Sequence, residues 1–155
     1  MRTALGLMAL VLAVVRADPL DTAGDFMDAL ARHDGARVSE MLSESLDMRF
    51  REIFAQLRML EAENPEMLEA ALSRLRGGIT TGDIASLTEE ELLGRLLEAS
   101  AFTHPGEPER EHVLLEGRDA SVVLDYPGGG SVSFRMIWED GCWRIADTSL
   151  LRMLF

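Results

Sequence analysis

The spacing of apolar residues switches along this chain from a helical period to strict alternation, and no other feature limits its fold as much. Across residues 131–139, Val132, Phe134, Met136 and Trp138 share one face, while Ser131, Ser133, Arg135 and Glu139 share the other. Ile137 is the one apolar residue on the polar face. A period of two is what a strand covered on one side requires. The residues from 18 to about 101 carry helical spacing instead, so helices and strands are segregated along the chain. That order predicts an α+β domain, with N-terminal helices packed on one face of a C-terminal curved antiparallel sheet of three to four strands. The helices cannot be a separate domain, because the strands need them to cover their apolar face.

Helix punctuation fills in the first half. Asp18-Pro19-Leu20-Asp21 reads as a helix start, with an Asp cap, proline at the first helical position and a second acid in the first turn. Phe26, Met27 and Leu30 continue its stripe, and Asp34-Gly35 predicts a glycine stop. A short helix carrying Val38, Met41 and Leu42 follows. A long one over 46–63 places Phe50, Ile53, Phe54, Leu57 and Leu60 at helical spacing. Asn64-Pro65 breaks it, since the residue before proline resists the helical conformation. The next helix, over 65–76, stops at Gly77-Gly78. Thr88-Glu89-Glu90-Glu91 is a capping box that opens a helix through Leu92, Leu93, Leu96 and Leu97. Residues 104–108 are loop by composition. Strands are expected at 111–116, 119–126, 131–139 and 142–147, and Asp140-Gly141 between two of them is a strong hairpin signal.

The first 17 residues read as a secretory leader. Arg2 gives a positive start, Ala4 to Val15 is an unbroken apolar run, and Val15-Arg16-Ala17 offers a cleavage site after Ala17. A membrane-spanning helix needs about 20 apolar residues, and Arg16 and Asp18 close this run earlier. Cleavage would leave a single domain of residues 18–155, secreted or periplasmic in a bacterium. Its only cysteine, Cys142, rules out an intramolecular disulfide. A buried thiol is the plain reading of it, and an intermolecular disulfide or a reactive thiol is the alternative.

With Arg2 and Arg16 removed, 13 arginines face 27 acidic residues, a net charge of −14. No basic patch is visible, so nucleic acid is not an expected partner, and after cleavage the same repulsion disfavours anionic membranes. There is no lysine at all. That excludes Schiff-base chemistry, the P-loop lysine and serine–lysine dyads.

No constellation of residues names a reaction. His33, His104 and His112 lack partners at metal-ligand spacing, so no metal and no cofactor is expected. His33 reads as a cation near a helix C-terminus. Gly128-Gly129-Gly130 leads into a strand rather than a helix N-terminus and reads as a hairpin loop, not a phosphate cradle. Tyr126 reads as a hairpin cap or a hydroxyl at a pocket mouth. Trp143 and Ile145 should point inward after the Asp140-Gly141 turn. Met41, Met48, Met59 and Met67 fall among helical apolar positions, as adaptable core filler does.

Several strings resemble the nuclear transport factor 2-like superfamily of cone-shaped α+β domains, and its small secreted bacterial members in particular. Phe26-x-x-Ala29-Leu30 with Asp34-Gly35 and Val38 through Leu42 resembles the family's first helix and glycine break. Glu116-Gly117-Arg118-Asp119-Ala120-Ser121-Val122 resembles a central strand entry, and Phe134 through Trp138 with Asp140-Gly141 and Trp143-Arg144-Ile145 the closing hairpin. The helical stretch 46–101 is longer than a typical member's, and no position matches the catalytic Asp or His of the family's enzymes. The resemblance implies a concavity between sheet and helices.

The function expected is therefore a non-enzymatic binding domain for a small apolar molecule or a protein partner, with Trp138, Met136, Phe54 and Leu57 lining its pocket. A homodimer is compatible with this reading. The alternatives are a small isomerase, lyase or hydrolase that uses a pocket carboxylate as base, and an acidic inhibitor or immunity-type protein that meets a basic target.

Overall fold

The computed structural model describes residues 18–74 and 78–153. The expected leader, Arg76 and Gly77 lie outside them. Among the described residues, six helices precede a four-stranded sheet: α1 (Pro19–Ala31), α2 (Gly35–Met41), α3 (Glu44–Glu63), α4 (Pro65–Leu72), α5 (Thr81–Ser86) and α6 (Glu89–Ser100). The strands β1 (Arg110–Glu116), β2 (Asp119–Asp125), β3 (Ser131–Glu139) and β4 (Cys142–Thr148) form an antiparallel meander in sequence order, closed by a short 3₁₀ turn at Leu151–Met153. The expected α+β class is observed, and the sheet stays open. Among the described residues, no helix is long and apolar enough to cross a membrane.

Helix starts follow the side chains that can satisfy orphan amides. Asp18 accepts from the Leu20 amide with Pro19 next to it, Ser43 caps α3, and Asn64 both ends α3 and caps α4. Thr88 and Glu91 form the expected capping box of α6. A second box, Thr80 with Asp83, starts α5, a helix the sequence reading did not place. The helix begun at Pro65 ends at Leu72, short of the expected residue 76.

The glycine at position 35 behaves differently from its expected role as a helix stop. Asp34 accepts from the Arg37 amide and caps α2, so Gly35 is the first residue of that helix, while His33 takes the left-handed conformation with φ of 56°. Gly35 is small for a packing reason. A Cβ there would lie 2.1 Å from the Glu90 carbonyl oxygen and 2.5 Å from the Gly94 nitrogen. The backbones of α2 and α6 therefore touch directly.

The core lies between the helices and the inner face of β2, β3 and β4. Phe26, Leu30, Val38, Phe54, Leu92 and Leu97 come from the helices; Val122, Phe134, Met136, Trp143 and Ile145 come from the strands, and all are nearly inaccessible. Phe26 meets Phe134 edge to face at 6.1 Å. On β4 the register steps between Arg135 and Met136 of its neighbour, so Ala146 is an extra residue. The bulge shifts the buried phase from Trp143 and Ile145 to Thr148. Along α3 only a narrow stripe is covered. Met48, Met59 and Met67 are more than half exposed, and of the four methionines expected in the core only Met41 is there.

Candidate functional site

Of the four residues expected to line a pocket, two are core. Met136 is wholly inaccessible and Phe54 nearly so. Trp138 and Leu57 are half-buried against the same cluster, and Trp138 meets Trp143 edge to face at 5.2 Å. The structure brings these side chains into packing contact with the core.

A cleft lies elsewhere, between α1 and the loop that leads into β1, with a volume of about 660 Å³. Met27, Leu124 and Tyr126 line it together with Asp25, Glu107 and Glu111. Tyr126 is buried; its hydroxyl donates to the Met27 sulfur at 3.3 Å, and its backbone closes the β2–β3 hairpin as expected, the amide donating to the Gly130 carbonyl at 2.8 Å and the carbonyl accepting from the Gly129 amide at 3.2 Å. Burial, with Glu107 and Glu111 adding negative charge nearby, raises its pKa above the ordinary phenol value. An acidic opening of this kind does not suit an apolar molecule.

Three carboxylates have shifted titration: Asp83 and Glu91, held down by the amides and hydroxyls of their capping threonines, and Asp125, held down by the Ser131 hydroxyl and then by His112. All three move downward and sit on the surface, whereas a general base near neutral pH needs the opposite shift. His104 lies 3.7 Å from Asp28 and His112 lies 3.4 Å from Asp125, each a single surface pair. Among the described residues, no group of three or more histidines, cysteines and carboxylates is placed to hold a metal ion. Cys142 is half-buried, with its thiol 3.4 Å from the Glu139 carbonyl oxygen.

What stands out is the contrast between the two edges of the sheet. Outside β4, Leu42 forms a parallel bridge with Ile145, the Ser43 amide donates to the Ile145 carbonyl at 2.8 Å, and the Glu44 amide donates to the Glu139 carboxylate. That edge is closed. At the other side, β1 pairs only with β2 among the named strands, and all seven of its residues are exposed. Val113 is opposite Val122 and Leu115 is opposite Ala120, so both point to the core side of the sheet, yet they remain 42% and 58% exposed. Leu114, opposite Ser121 on the outer side, is 58% exposed. The helix layer that covers β2, β3 and β4 stops short of β1.

Three consecutive apolar residues are the pattern of a strand covered on both faces, and here, among the described residues, both faces stay about half exposed. The sequence predicts this strand but not its exposure. The signal that marks it is the loss of alternation at Val113-Leu114-Leu115. Comparison with protein-family models, with curated proteins and with solved structures finds no match for this chain.

Proposed function

We propose that this chain is a secreted, non-enzymatic binding domain that takes a protein partner along β1. The observation that carries the reading is an edge strand with apolar side chains on both faces and, among the described residues, no covering element. An edge strand presents a row of backbone donors and acceptors, and folded proteins usually blunt such an edge with charge, proline or a covering loop. Here charges stand only at the ends of β1, at Arg110, Glu111 and Glu116, and the centre is bare. An added strand would satisfy the free backbone groups and complete the burial of three side chains. That burial offers on the order of 1 kcal/mol for each half-exposed side chain. Secretion rests on Arg2, the apolar run to Val15 and Ala17, and kinship with the nuclear transport factor 2-like superfamily rests on the strings quoted above.

Native purification followed by mass spectrometry tests the reading. Proteins that accompany the parent chain should be lost from a Val113→Glu/Leu115→Glu variant, whose exposed substitutions cost the sheet about 1 kcal/mol or less. Equal recovery from both chains, or recovery of small molecules alone, contradicts it.

A further inference from the structure

We propose that the strand received by β1 is β1 of a second copy of this chain, paired antiparallel about a two-fold axis between the two Leu114 residues. The inference rests on the binding role given to β1 and adds the identity of the partner. A two-fold interface uses the same patch twice, so the sequence of β1 must complement its own reverse. About Leu114 it does. Leu114 meets Leu114, Val113 of each copy meets Leu115 of the other, and His112 of each meets Glu116 of the other. Directly opposed side chains on one face of an antiparallel pair have Cβ atoms about 4.5–5.5 Å apart, within contact.

The neighbouring register is worse. Centred on Val113, it sets Glu111 against Leu115 and His112 against Leu114, so each apolar side chain but the central one faces a polar group. The Leu114 register also brings Arg110 near Arg118 of the other copy, a like-charge pair at the rim of the interface, where solvent screens it. Arg118 donates twice to the Trp138 carbonyl, and Arg110 lies opposite Asp125. At the far side of the sheet the edge is closed by Leu42 and Ser43, so pairing ends at two copies and does not propagate into a fibre.

Each copy carries a formal charge of −12 with the leader and −14 without it, and like copies repel. Salt that shortens the screening length from about 10 Å at 0.1 M to about 3 Å at 1 M therefore strengthens this dimer. A cationic partner on the same strand would show the opposite dependence.

Sedimentation velocity of the purified protein, with cysteine crosslinking, tests the pairing. In a Cys142→Ser background, Leu114→Cys should give a disulfide-linked dimer under mild oxidation. His112→Cys should not, because its thiols would lie about four residues, or 13 Å, apart along the strands. Leu114→Glu should weaken the dimer at least tenfold with an unchanged circular dichroism spectrum. A parent chain that stays monomeric at every protein and salt concentration overturns the proposal, and so does crosslinking that is equal at 112 and 114. If the parent is monomeric while the Val113→Glu/Leu115→Glu variant still sheds co-purifying proteins, self-pairing fails and the binding role of β1 survives. If neither occurs, both fail.

Discussion

Gly35 and Gly94 set how closely α2 and α6 approach, and Gly24 supplies a control within the same fold. Gly35→Ala puts a methyl group into the backbone of α6, 2.1 Å from the Glu90 carbonyl oxygen, where no side chain can swing aside. The helices must move apart, and such overpacking costs about 1–3 kcal/mol. Gly24, inside α1, has nothing within 4 Å of its added Cβ. Gly24→Ala removes only backbone freedom and should stabilise by about 0.5–1 kcal/mol. Denaturant melts of the two variants should therefore move in opposite directions from the parent, and a Gly35→Ala chain as stable as the parent contradicts the contact. Local sequence could not reveal this role. Asp34-Gly35 is equally good as the end of one helix or the cap of the next, and the choice is made by Gly94, far away in the chain.

Individual elements were legible where the local signal was complete. Thr88 and Glu91 announce α6, and both hydrogen bonds of the box form there. The pKa of Glu91 is lowered by its bond to the Thr88 amide and then to the Thr88 hydroxyl. A folded-state pKa below the unfolded value contributes stability that is present above the unfolded value and is lost as pH falls through the folded one. Glu91→Ala should thus lower stability at pH 7, and the gap to the parent should shrink as pH drops below the ordinary glutamate range, about 4.3. Melts at pH 7 and at pH 3 check this, and a gap that is constant with pH contradicts it. The same box at Thr80 and Asp83 was hidden by Gly78 and Gly82, which read as loop. Its helix forms because Ile79 and Ile84 are buried. Alternation placed β2 and β3 to within a residue, whereas the phase of β4 slips at Ala146, because a bulge is set by pairing rather than by the strand's own residues.

For the molecule as a whole, sequence reading located the sheet and its covered face but not where the cover ends. Val132, Phe134 and Met136 lie beneath the helices as expected, and Met136 and Phe54, expected to line a concavity, are buried in the core. Tertiary extent decided this. Six helices, including the unforeseen α5, are enough to cover three strands and leave the fourth bare. The outcome is a sheet with one edge closed by Leu42 and Ser43 and one edge open along β1. Amide hydrogen exchange across residues 110–116, followed as protein concentration rises, tests that open edge most directly. Protection confined to these amides should grow with concentration, and should do so more at high salt. Exchange at the same fast rate at every concentration, in the pure protein and with whatever partner co-purifies, would contradict the assignment of β1 as a binding strand.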